Sequence, residues 1–209
     1  MIALFSLSIA STLSIALLLV TGYSTPLQAE VSGVQINGTG CPPETTTFTE
    51  TDLDGDGLAD FWQILYSDFS MERPGRFHQN CHINFRVRLP GPYQLRLARL
   101  QSRGFAELHR SHLADFSGQF QVSTGGRPAT TNQELAGPYA EPFVLDSTIE
   151  RSGWSSCRRQ IAVNAIMQMR IRGKPGSPQE AGASSTIQVE RTSGLFVQQV
   201  ALEWRSCSG

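Results

Sequence analysis

Four aspartates fall within the nine residues Asp52-Leu53-Asp54-Gly55-Asp56-Gly57-Leu58-Ala59-Asp60. Calcium takes six to eight oxygen ligands, and a short acidic loop can supply them by folding around the ion. In that arrangement Asp52, Asp54 and Asp56 offer carboxylates at positions 1, 3 and 5. Gly57 allows the sharp turn at position 6, Leu58 offers its backbone carbonyl at 7, and Asp60 acts at 9, directly or through water. Position 12, where a bidentate Glu belongs, is Gln63. The strongest ligand is therefore missing, and any affinity is expected near the weak extracellular end, about 10⁻⁴ to 10⁻³ M. An Asp/Gly turn that needs no ion competes with this reading, but four crowded carboxylates repel one another without a cation. A bound Ca2+ is expected to be structural rather than catalytic.

The loop resembles the calcium loops of thrombospondin type 3 repeats and dockerins. The likeness covers only these residues and lacks tandem copies. Other chemistry is sparse. His78 and His82 are four apart and His109 and His112 three apart, spacings that ligate a metal only if folding brings them together. The chain has no G-x-S-x-G, no H-E-x-x-H and no phosphate-cradling glycine loop. Paired carboxylates for glycoside hydrolysis are set by three-dimensional spacing, so the sequence leaves them open.

The elements that must hold the loop read as strands. Ile83, Phe85, Val87 and Leu89 alternate with His82, Asn84, Arg86 and Arg88, a period of two. Pro90-Gly91-Pro92 then predicts a hairpin turn into Tyr93, Leu95 and Leu97. A second long alternation runs from Ile161 to Ile171, and a shorter one through Val200, Leu202 and Trp204. Weaker strand candidates lie at 45–50, 61–69, 104–110, 117–123, 142–147 and 186–191. Turns are predicted at Gly125-Gly126-Arg127-Pro128 and Gly137-Pro138, with a loop from Gly173 to Ser185. No stretch shows a capped helical period. The pattern predicts an all-β chain, a single jelly-roll-like β-sandwich.

The apolar run from Ile2 to Val20, followed by Thr25-Pro26-Leu27-Gln28-Ala29, reads as a signal peptide over 1–29, cleaved after Ala29; no Lys or Arg precedes the run, and an uncleaved anchor is the alternative. Residues 30–209 then form one domain, secreted, with no membrane span in the mature chain. An exported chain with an even number of cysteines implies disulfides. Cys41, Cys81, Cys157 and Cys207 contain no C-x-x-C pair, which argues against a zinc site. Of three possible pairings, Cys41–Cys81 with Cys157–Cys207 is favoured because it joins neighbours along the chain.

Net charge is −1, so nucleic acid is not an expected partner. The charge is uneven, however. Residues 30–72 carry nine acids and no Lys or Arg, whereas residues 73–110 carry eight Arg and one acid, Glu107. The plain expectation is two neighbouring segments whose fields offset each other. The sharper one is a basic face, with Arg86, Arg88 and Arg96, open to an anionic partner.

Gly38-Thr39-Gly40-Cys41-Pro42, Asn80-Cys81, Arg103-Gly104-Phe105-Ala106, Gly137-Pro138, Ser155-Ser156-Cys157 and the closing Trp204-x-x-Cys207 occur in this order over nearly the whole mature chain. In this the chain resembles domain-of-unknown-function family 4360, exported four-cysteine proteins of fungi and bacteria. It departs from the family at Arg76, which is displaced from the asparagine-cysteine pair, at Ser156 and Arg158, and in the acidic loop, where the family has a short Asp-Gly turn. The resemblance implies no activity and no catalytic residues. The expectation is a secreted non-catalytic β-domain of unknown role, with a structural calcium loop, binding an unknown extracellular or cell-surface ligand. The alternatives are a secreted hydrolase acting on carbohydrate, and an inhibitor or effector working through the Arg-rich face.

Overall fold

A computed structural model describes residues 28–207 apart from 76, 123–127, 179, 181 and 191. The expected leader therefore lies, up to residue 27, outside the described residues, as does the Gly125-Gly126-Arg127 turn. The described chain is built of strands and the turns and loops that join them. It runs β1 (Glu30–Asn37), β2 (Thr46–Thr51), β3 (Phe61–Tyr66), β4 (Ser70–Arg73), β5 (His78–Leu108), β6 (His112–Val122), β7 (Ala129–Ala136), β8 (Tyr139–Thr148), β9 (Arg158–Gly173), β10 (Ser185–Gln188) and β11 (Phe196–Ser206). One short 3-10 turn, Pro43–Thr45, precedes β2.

All eleven strands belong to one antiparallel hydrogen-bonded sheet, with the path β2-β3-β11-β5-β9-β6-β7. β5 folds that sheet into two layers. Its first half pairs with β1 and β9, and its second half with β11, β8 and β10. The alternating runs dictate which side chains fill the gap. Ile83, Phe85 and Val87 of β5 and Ile161, Val163 and Met167 of β9 are buried from one layer, and Trp62, Ile64, Val200 and Leu202 from the other. The layers meet edge-to-face where the Trp62 and Phe85 rings lie 4.6 Å apart, and again where the Phe116 and Phe143 rings lie tilted at 5.5 Å. Burying each such side chain contributes about 1.5–3 kcal/mol. This is the all-β sandwich that the alternation predicts.

The hairpin expected at Pro90-Gly91-Pro92 is not there. The segment is a crossing: β5 continues from His78 to Leu108, and its two halves pair with different partners instead of each other. The physical reason lies in the demand from neighbours. Both edges of each half are taken by other strands, and proline cannot donate the ladder bond a turned-back strand would need. The crossing is closed from outside, where Cys207 donates its NH to the Pro92 carbonyl at 3.0 Å.

Candidate metal centre

The acidic loop joins β2 to β3, and its termini are fixed by their pairing, Thr51 opposite Phe61. Asp60 closes the loop by donating its NH to the Thr51 carbonyl at 2.8 Å. Inside, the carboxylates accept backbone amides. Asp52 takes Gly55 NH at 2.8 Å and Gly57 NH at 2.9 Å, Asp60 takes Leu53 NH at 2.7 Å, and Asp56 takes Leu58 NH at 2.7 Å. Asp54 accepts the amide of Asp56 at 3.1 Å. Gly55 and Gly57 both adopt left-handed backbone, φ 76° and 86°, which other residues reach only with strain. Gly57 therefore stands where the sharp turn was expected.

Partial burial pushes the Asp52 carboxyl upward, but the bonds from Gly57 and Gly55, with smaller ones from Asp54 and Asp56, outweigh it and hold it below the usual aspartate value. Asp52 is thus poised to stay ionised.

The fold brings Asp52, Asp54 and Asp60 together, with one ligand oxygen from each lying within 4.8 Å of the others. Asp56 is outside that group, its carboxylate spent on the Leu58 amide. The Leu58 side chain is buried in the core and roots the loop. Gln63 points elsewhere: it donates to Gln199 Oε1 at 2.9 Å on the face of β3 and β11. The loop is also tied from both chain ends. Ala29 donates its NH to the Gly57 carbonyl at 2.8 Å, so the fold's contacts begin one residue before the expected cleavage point. Trp204 donates its indole NH to the Ala59 carbonyl at 2.7 Å.

The cysteines bond as favoured, Cys41 to Cys81 and Cys157 to Cys207, with Cα separations of 5.4 and 5.9 Å. The residues around them form a frame. Asn80 Oδ1 accepts both the NH and the hydroxyl of Thr39, and the Asn80 carbonyl accepts Gly40 NH. Ser155 is buried, and its hydroxyl accepts the Leu95 amide at 2.9 Å. The recurring motifs thus hold strand ends together beside each disulfide.

The histidines separate. His78 and His82 lie along the first half of β5, whereas the His109 and His112 rings are 5.7 Å apart. Among the described residues neither pair joins a metal-ligand group. One arrangement was not legible in the sequence. Ser111 Oγ lies 2.8 Å from His109 Nδ1, and His109 Nε2 lies 3.4 Å from Glu180. It resembles a nucleophile and base, but Ser111 is 3% exposed and donates its own amide to the same nitrogen. A nucleophile needs room for an incoming carbonyl, so this is a turn lock.

Arg88, Arg96, Arg99 and Arg110 of the Arg-rich segment are ion-paired, three of them with acids other than those expected. Arg88 meets Glu30, but Arg96, Arg99 and Arg110 find Glu203, Asp146 and Glu180, all later in the chain. Strand register set Glu203 and Asp146 beside Arg96 and Arg99, whereas Arg110 and Glu180 meet from the loops outside the strands.

Residues 28–207 match the family described as Domain of unknown function (DUF4360). The chain belongs to the DUF4360 family. A family resemblance read from the cysteine contexts is thereby shown over the whole described chain. An uncharacterized secreted protein of Arthroderma benhamiae is 23% identical over 193 residues, covering 88% of this chain and 74% of that protein. This DUF4360 protein is likewise secreted, and no helix among its described residues is long and apolar enough to cross a membrane. Solved structures are distant. TmCBM61 in complex with β-1,4-galactotriose has a TM-score of 0.35 at 9% identity, covering 83% of this chain and 90% of that one. A family two carbohydrate esterase from Cellvibrio japonicus has a TM-score of 0.25 at 7% identity, covering 85% of this chain and 37% of that one.

Proposed function

We propose that this secreted protein is a non-catalytic β-domain that binds an extracellular or cell-surface partner, with the 52–60 loop serving as a weak structural calcium site. The convergence of Asp52, Asp54 and Asp60 carries the calcium reading. Calcium holds oxygens at 2.3–2.6 Å, so ligands on opposite sides of the ion stand up to about 5 Å apart, and the three carboxylates already lie within 4.8 Å of one another. Leu58 would add its carbonyl, and Asp56 would join on leaving the Leu58 amide. Calcium would relieve the repulsion among the acids and stiffen a connection that Trp204 leans on.

Thermal melting and calorimetry of the secreted protein in millimolar calcium and then in EDTA test this. A rise in melting temperature with calcium, reversed by EDTA and lost in Asp54→Ala, is the expected result. An unchanged melting temperature at millimolar calcium would sink the metal reading. A glycan array with hydrolysis products followed over time tests the binder reading: retention without cleavage supports it, and turnover of a bound glycan overturns it.

A further inference from the structure

The outer face of the layer holding β1, the first half of β5, β9 and β6 carries a row of side-chain amides. The register sets Gln35 opposite Asn84, Asn84 opposite Asn164, and Asn164 opposite Gln121. Four strands about 4.8 Å apart place these amides along a line of roughly 14 Å. Asn164 donates to Asn84 Oδ1, which fixes two of the planes and leaves further donors and acceptors free for a ligand. Beside the row Ala162 is small, and β1 shifts register between Ser32 and Gln35. The face therefore dips into a groove of about 420 Å³ lined by Gln35, Asn84, Arg86, Gln121, Ala162 and Asn164. That volume is within the usual range for small-ligand sites.

The groove has charge of one sign. Among the described residues no carboxylate lines it. Arg86 is exposed and forms no ion pair among the described residues, whereas Arg88 is held by Glu30 and Arg96 by Glu203. A guanidinium presents paired donors that match a carboxylate. Carboxamides present donors and acceptors together, which suits ligand hydroxyls. A nucleic acid fits poorly, because its affinity rests on many phosphate contacts and the chain's net charge is −1.

We infer that this groove binds an acidic glycan, a sugar chain bearing carboxylates, with a uronate carboxylate on Arg86 and ring hydroxyls along the amide row. The inference rests on the binder reading above and gives its partner a chemical class.

Isothermal titration calorimetry of the secreted protein tests it, with an oligogalacturonate and a cello-oligosaccharide as probes. EDTA keeps calcium from bridging protein and uronate, and low salt leaves the charge attraction unscreened. The oligogalacturonate should bind, and the neutral sugar should bind far more weakly. Arg86→Gln should weaken uronate binding by about tenfold or more, the worth of a charge-assisted hydrogen-bonded pair. Asn164→Ala should weaken it less. Arg103→Gln, at an exposed arginine on the other layer, should bind like the parent protein. Absence of oligogalacturonate binding, equal binding of the two sugars, or equal losses in Arg86→Gln and Arg103→Gln would each overturn the inference. Retention of some other glycan on the array, indifferent to Arg86→Gln, would overturn it while leaving the binder reading in place. The calcium-dependent melting shift is read separately and does not depend on either sugar.

Discussion

Trp204 reaches from β11 to donate its indole NH to the carbonyl of Ala59, 2.7 Å away, across 145 positions of sequence. The closing Trp-x-x-Cys motif is thus bonded to the last turn of the acidic loop. Trp204→Phe keeps most of the packing and removes the donor. Leaving the half-buried carbonyl unmet should cost about 1–3 kcal/mol, read by urea unfolding. The same variant should show a smaller calcium shift than the parent, because the loop's exit is no longer held.

The two disulfides differ in access. Cys41 and Cys81 are both fully buried, whereas Cys157 is exposed and Cys207 half-buried. Exchange needs a thiolate to reach a sulfur. Mild reductant under native conditions should therefore open Cys157–Cys207 first, seen by mass spectrometry after alkylation. Cys41–Cys81 should yield only with unfolding. Prior loss of Cys41–Cys81 would contradict the burial pattern.

His112 is 2% exposed and bonds Ser185 Oγ through Nδ1. Burial, with Arg73 and His109 nearby, pushes its imidazole below the ordinary histidine value. The unfolded chain then binds the proton more readily than the folded one. Stability is full above the unfolded value, about 6.5, and falls as pH drops through it toward the folded value. Melting temperatures across that range should decline with acid, and His112→Gln should flatten the slope. An unchanged slope would assign the acid sensitivity to other groups.

Gly104 lies where β5 passes under the Phe196 ring. A Cβ there would stand 2.7 Å from Phe196 Cδ2 and 3.0 Å from the Gln188 carbonyl. Phe196 is fully buried and stacks on Phe69 at 4.4 Å, so it has little room to retreat. Gly104→Ala should destabilise by about 1–3 kcal/mol through overpacking, measured by chemical denaturation. This explains the glycine of Arg103-Gly104-Phe105-Ala106 as a packing requirement.

Much of this protein was legible in its residue order because the signals are local. Alternation over Ile83–Leu89 and Ile161–Ile171 fixes which side chains face inward, since a strand turns its side chains with a period of two. The cysteine contexts and their order mark the family. The spacing of Asp52, Asp54 and Asp60 also lies within one loop, and there the chain itself brings the carboxylates together.

What the sequence could not decide are relationships between distant segments. Pro90-Gly91-Pro92 reads as a hairpin, yet whether a strand turns back or crosses depends on which neighbours take its edges. The ion-pair partners of Arg96, Arg99 and Arg110 were equally out of reach, as was the line from Gln35 through Asn84 and Asn164 to Gln121. For the strand residues among these, register is set by the burial of the opposite face, where a slip of one residue would turn every core side chain outward; Arg110 and Glu180 meet outside the strands. Composition and period alone determined the layered, disulfide-framed β-domain. Only tertiary pairing decided which polar side chains stand side by side on its surface, and those are the ones that can meet a ligand.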